Sequence, residues 1–222
     1  MASSVFDIVG PVMVGPSSSH TLGAVRLGSF VRQFASSGIR QCTVTLYGSF
    51  AMTYKGHRTD IAIVGGLIGM RYDDEALRNA FKLAELMSFD CSFKIDSSGE
   101  HAGNVASFDF ETQEGEKHAV FGESVGGGRI NIFEIDGMRV DISGEYHTLI
   151  TVHRDIFGML AKIALALADV QVNIAFLKLY REEKNETAIL VAQTDEETPA
   201  SALEKIRSLE HVFSATAVNP LR

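Results

Sequence analysis

The stretch His147-Thr148-Leu149-Ile150-Thr151-Val152-His153-Arg154-Asp155-Ile156-Phe157-Gly158-Met159-Leu160-Ala161-Lys162-Ile163 decides the fold of the C-terminal third. Residues 147–152 read as a strand and 157–168 as a helix. Farther on, 172–181 and 187–193 read as two strands joined at 182–186, the first with imperfect apolar alternation. Residues 199–209 read as a helix, because Pro199 suits a first helical turn, and 212–218 read as a final strand. The order is βαββαβ, a split βαβ unit of ferredoxin-like type. A unit of about 75 residues is enough for one such domain, and one so small gains stability by pairing with another.

Upstream, Ser143-Gly144-Glu145 reads as a boundary, giving domains 1–144 and 146–222. The first half mixes helices and strands. A helix over 20–36 carries Leu22, Val25, Leu27, Phe30, Val31 and Phe34 among its apolar positions. A strand follows at 42–47, then a turn and short helix over 48–56. Asp60 caps a helix over 61–70, in which Gly65-Gly66 signal close packing or a break. Asp73 or Asp74 caps a longer helix to about 87, with Leu77, Phe81 and Ala84 on one stripe. Strands are expected at 91–95, 105–111, 117–121, 129–135 and 138–142, and Asp136-Gly137 is a hairpin-turn signal.

The chain has 222 residues, enough for one large or two small domains. An apolar fraction of 45% argues against disorder. A net charge of −8 argues against nucleic-acid binding, and no basic patch offsets it. No apolar run reaches the roughly 18 residues of a membrane span. The N-terminus lacks a basic region followed by an apolar core, so a cytoplasmic location is expected. The two cysteines, Cys42 and Cys91, sit in strand-like runs and read as buried or half-buried thiols in a reducing compartment. Two scattered cysteines cannot hold a four-thiolate zinc site or a full iron–sulfur cluster, so no metal is assigned to this chain.

Gly15-Pro16-Ser17-Ser18-Ser19-His20-Thr21 places five consecutive hydrogen-bonding side chains where a helix begins. The first N–H groups of a helix lack internal partners and carry partial positive charge. Hydroxyls added there suit a carboxylate or phosphate. One serine would satisfy a cap. Three serines, a histidine and a threonine exceed that need, so a ligand site is the favoured reading. Gly126-Gly127-Gly128 lacks dinucleotide-loop spacing and reads as a bulge or tight turn before a strand.

The turn 153–163, Val172-Asn173-Ile174 and the βαββαβ order resemble the ACT domain family over residues 146–222. That resemblance implies amino-acid binding between paired domains, with Gly158 and Asn173 as effector-binding residues. The family's Asp-Arg-Pro-Gly turn is Asp155-Ile156-Phe157-Gly158 here, and a purely structural dimerisation role stays open. Residues 3–142 resemble the beta chain of the two-chain, iron–sulfur-dependent L-serine dehydratase. The resemblance rests on Phe6 to Thr21, on Tyr47 to Asp60 with its Gly56-His57-Arg58-Thr59-Asp60, on His101-Ala102-Gly103-Asn104 and on Gly122 to Ile130. The expected fold is therefore α+β: an N-terminal mixed α/β domain of serine dehydratase beta-chain type, then a ferredoxin-like ACT domain.

The resemblance implies deamination of L-serine to pyruvate and ammonia. It places a [4Fe-4S] cluster, ligated by an alpha chain rather than by this one, as the Lewis acid on the departing hydroxyl. The two-cysteine count agrees. His57 is the candidate base, since histidine titrates near working pH. It is expected in a loop, with Thr59 and Asp60 positioning it or the substrate ammonium. Ser17, Ser18, Ser19 and Thr21 are expected to hold the carboxylate, with His20 assisting. His101 is a further substrate-binding candidate, although the family shows His-Pro-Asn-Thr or His-Pro-Asn-Ser there. Gly127, within its triplet, permits close backbone approach to the pocket floor. The expected partners are the alpha chain, L-serine and a second copy through the ACT domain, with no nucleic acid and no membrane. The competing function is a non-catalytic amino-acid sensor, because the first half also resembles the allosteric substrate-binding domain of some D-3-phosphoglycerate dehydrogenases.

Overall fold

A computed structural model describes residues 15, 17–96, 98–99 and 101–221. The N-terminal part of the Phe6–Thr21 motif, residues 6–14, and Pro16 lie outside the described residues. The chain divides into two compact units, Met1–Gly137 with Leu221–Arg222, and Met138–Pro220.

In the first unit, a π-helical turn, Ser18–Gly23, leads into helix α1, Ala24–Phe34. Strand β1, Ile39–Tyr47, follows, then helices α2, Gly48–His57, and α3, Thr59–Leu67. A 3-10 turn, Glu75–Asn79, precedes α4, Ala80–Leu86. The remaining strands are β2, Asp90–Ile95, β3, Asn104–Thr112, β4, Lys117–Gly126, and β5, Arg129–Ile135. Within this unit the sheet order is β2-β1-β3-β4-β5. β1 runs parallel to β2, which the helical crossover between them allows, and the other neighbours are antiparallel.

Period-two alternation buries Cys42, Val44 and Leu46 on one face of β1. The apolar set anticipated on the first helix, Leu22 to Phe34, is buried throughout. Gly28 and Gly66 explain how α1 and α3 cross so closely. A Cβ on Gly66 would stand 2.1 Å from the Val25 carbonyl oxygen, and one on Gly28 would stand 2.4 Å from that of Ile63. Gly65-Gly66 therefore mark packing and not a break. Asp74 caps the 3-10 turn, its Oδ1 accepting from Ala76 N–H at 2.8 Å.

Three local expectations change. The helix after β1 spans a full ten residues and ends on His57, so His57 is helical and not in a loop. The cap of α3 is Arg58, which takes the left-handed conformation (φ 57°, ψ 37°) and turns the chain between the helices by itself. Asp60 lies inside the first turn, with its Oδ1 accepting from Ile61 N–H at 2.9 Å. Strand β4 also runs on to Gly126, past the expected end at 121. Ladder partners on β3 and β5 hold Gly122 to Ser124 in register, overriding their weak strand propensity. Gly126-Gly127-Gly128, at φ 98°, 61° and 78°, then form the turn into β5, as anticipated. Asp136 and Gly137 share positive φ, 51° and 81°, the type I′ signature.

The second unit holds β6, Met138–Ile142, and then β7, His147–Arg154, α5, Met159–Ala168, β8, Ile174–Arg181, β9, Thr187–Thr194, α6, Ala200–Arg207, and β10, Val212–Val218. From β7 onward the order is the expected βαββαβ, and its sheet runs β10-β7-β9-β8, antiparallel throughout. Leu149, Leu190 and Ala192 of the sheet pack against Met159, Ile163 and Leu167 of α5 and Ile206 of α6. The imperfect alternation of the second strand has a cause: β8 is an edge strand with an irregular register between Ile174 and Phe176.

Candidate functional site

Ser17 opens the first helical turn in an extended conformation (φ −149°, ψ 131°), and its Oγ accepts from His20 N–H at 3.3 Å. The same Oγ lies 3.3 Å from His20 Nδ1. The turn is π-wound, so its side chains are spaced differently from those of an α-helix, as is common at functional sites. His20 is thereby buried and directed toward α2.

On α2, Ser49 and Thr53 are four residues apart and share a face. Thr53 Oγ1 donates to the Ser49 carbonyl oxygen at 2.7 Å and lies 3.0 Å from His20 Nε2; Ser49 Oγ lies 3.5 Å from that nitrogen. Thr53 has one hydroxyl proton, and the carbonyl takes it. Nε2 of His20 is therefore the donor to Thr53, while Nδ1 lies beside the Ser17 hydroxyl, which can donate or accept. The network places a proton on Nε2. Burial holds the His20 pKa below its ordinary 6.5, and the charge that His57 can carry lowers it further.

His57 packs edge-on against His20, with ring centroids 4.6 Å apart and planes at 89°. Phe50 closes another side of the His20 ring at 5.3 Å. His57 Nδ1 is buried and has no hydrogen-bond partner among the described residues. His57 and Thr21 together line a cleft of about 330 Å³ whose other walls include Arg58, Ile61, Leu77 and Arg78. Two arginines, a threonine and a histidine are thus among its walls, beside the apolar Ile61 and Leu77.

The remaining candidates are distributed unevenly. Ser18 and Ser19 are half-buried on the π-turn beside this cluster. Thr59 is fully buried, its Oγ1 unpartnered among the described residues. Asp60 is half-buried, and burial raises its carboxyl above the ordinary 3.8. His101 is not against the His20–His57 pair: its ring packs on Tyr47, Phe121 and Phe133. Its backbone segment does approach α2, since Gly103 accepts from Ser49 N–H at 3.0 Å. Gly127 sits in the β4–β5 turn, away from the cleft walls. The next carbonyl, that of Gly128, accepts from Arg26 at 2.7 Å.

In the second unit, Gly158 precedes α5 at φ 84°. The Asn173 amide donates to Asp195 Oδ2 at 2.7 Å and its backbone N–H to Glu196 at 2.8 Å. Asp155 is tied to Arg181 at 2.7 Å and to Asn185 N–H at 3.2 Å, and both hold its carboxyl below the usual range.

Sequence reading missed Ser49, Thr53, Arg58 and Arg78. Ser49, Thr53 and Arg58 lie inside the Tyr47–Asp60 run but were given no role, and nothing local marked Arg78. The donor set does not fit an iron–sulfur cluster. The chain has two cysteines, one of them buried. Among the described residues no group of three or more histidine, cysteine, aspartate or glutamate side chains could hold a metal ion. Nor, among them, is any helix long and apolar enough to cross a membrane.

Comparison with known proteins bears on this arrangement. Residues 4–120 match the family model described as serine dehydratase beta chain, and residues 147–211 match the ACT domain. A Bacillus subtilis protein named probable L-serine dehydratase, beta chain, is 36% identical over 215 residues, 97% of each chain. The L-serine dehydratase, beta chain, of Peptoniphilus asaccharolyticus is 32% identical over 216 residues, again 97% of each. A D-3-phosphoglycerate dehydrogenase of Synechocystis is 26% identical over 88% of this chain and 35% of its own length. With a family match over more than half its length and relatives alike from end to end, the chain belongs to the serine dehydratase beta chain family and carries a C-terminal ACT domain.

Proposed function

We propose that this chain is the beta subunit of an L-serine ammonia-lyase, which converts L-serine to pyruvate and ammonia in a site completed by an alpha chain. One observation carries the reading. The serine–histidine run and the Gly-His-Arg-Thr-Asp run, with His20 and His57 37 positions apart, meet through those two rings beside a cleft whose walls include Thr21, Arg58 and Arg78. Within this reading Thr21, Arg58 and Arg78 bind the substrate carboxylate. His57 takes the α-proton, and the neutral His20, locked by Ser17 and Thr53, orients it. Ser18, Ser19 and Asp60 supply polar contacts to the ammonium and hydroxyl. The cluster belongs to the alpha chain, whose chemistry this chain's two thiols cannot replace. The same reading includes functional limits at 1–144 and 146–222 and a cytoplasmic location. It also includes self-association through the ACT domain, whose exposed Phe176 and Phe213 such pairing would cover.

Anaerobic co-expression with the candidate alpha chain tests the proposal. A brown complex that forms pyruvate from L-serine, and loses activity on His57→Ala with its cluster spectrum intact, is the expected result. Full activity in that variant removes His57 from the role of base. An alpha chain equally active alone makes this chain regulatory.

A further inference from the structure

Cys42 on β1 and Cys91 on β2 are direct partners in the parallel ladder. Neighbouring strands lie about 4.8 Å apart, within the Cα separation of roughly 4.4–6.8 Å that a disulfide spans. Ladder partners project to the same face, so the two thiols are adjacent. Both are free. A hydrogen bond between the thiols, then burial, pushes the Cys42 thiol well above its ordinary value. The two residues differ in access. Cys42 is 3% exposed, while Cys91 is only half-buried on β2, the edge strand of the sheet.

We propose that Cys42 and Cys91 form a reversible dithiol–disulfide site whose oxidant is a peroxide. The Cys91 thiolate attacks one peroxide oxygen and breaks the O–O bond. Cys91 becomes a sulfenic acid, and the other oxygen leaves as water after taking a proton. Cys42 sulfur then attacks Cys91 sulfur and expels hydroxide, which leaves as water with the Cys42 proton. Two thiols and one hydrogen peroxide thus give one disulfide and two waters. Cys91 is the attacking thiol because it is the one that solvent reaches, and buried Cys42 resolves the intermediate.

The test is titration of the full chain with hydrogen peroxide, followed by thiol counting and peptide mapping without reduction. The expected product is a Cys42-to-Cys91 linked peptide, returned to two thiols by dithiothreitol. In Cys42→Ser, the Cys91 sulfenic acid accumulates and is trapped by dimedone; in Cys91→Ser, Cys42 stays unreacted at the same dose. Cys42→Ala serves if the buried hydroxyl unfolds the sheet, and circular dichroism verifies folding. Both thiols persisting in the folded chain, separate over-oxidation of each cysteine, or a Cys91-to-Cys91 link between two copies would each overturn the proposal.

Discussion

Thr53 Oγ1 stands 3.0 Å from His20 Nε2 while giving its own proton to the Ser49 carbonyl oxygen. One hydroxyl thereby decides which nitrogen of a buried histidine carries hydrogen. Replacing Thr53 with valine keeps the shape and removes the acceptor. The buried Nε2–H then lacks its best partner, at a cost of about 1–3 kcal/mol. Urea denaturation reads the loss, and histidine ring 15N shifts report the tautomer. Thr53→Ser restores both.

The two flanking histidine environments have opposite pH signatures. His20 binds its proton more weakly in the folded chain than the ordinary 6.5, so the unfolded chain holds more protons just below that value. Its contribution therefore rises with pH through that window and is lost as pH falls below 6.5. His118 is paired with Asp136 at 2.8 Å, which raises its pKa. Its contribution is fully present below 6.5 and disappears as pH rises through the raised value. Stability measured from about pH 5 to 8 should lose its acid-side decline in His20→Gln and its alkaline-side decline in His118→Gln.

Two helical glycines separate packing from propensity. Gly66→Ala drives a Cβ to 2.1 Å from a backbone oxygen on α1, with an expected loss of about 1–3 kcal/mol. Gly56→Ala, near the end of α2, meets nothing within 4 Å. It should gain about 0.5–1 kcal/mol through helix propensity. The pair is read from urea midpoints.

Gly158 tests the second unit in the same way. Its φ of 84° is strained for any residue with a side chain, and an added Cβ meets nothing within 4 Å. Gly158→Ala therefore costs about 1 kcal/mol from backbone conformation alone. Gly158→Asn should recover part of it, because asparagine tolerates the left-handed region. Thermal unfolding measures both.

The C-terminal unit was legible almost element by element. Apart from β8, whose alternation is imperfect, each strand and helix there is a continuous run of one period, and short connections leave few topologies. The first unit was legible in its core: Val25, Leu27, Phe30 and Phe34 are buried as their spacing required. Its ends were harder to read. Phe81 and Met87 remain 42% and 61% exposed despite lying on or beside the apolar stripe of their helix. A stripe states which residues want cover but not how much the neighbouring elements supply.

By itself the sequence determined the element types, the ferredoxin-like order and the two motif runs, because these depend on local periodicity, caps and residue chemistry. The tertiary structure alone decided that Ser49 and Thr53 lock His20, that His57 ends a helix, and that Arg58 and Arg78 share its cleft. It also decided that His101 turns instead to an aromatic cluster, and that Cys42 faces Cys91. Those contacts join segments distant in the chain. Their geometry follows from strand register and helix crossing, which no local window of residues encodes.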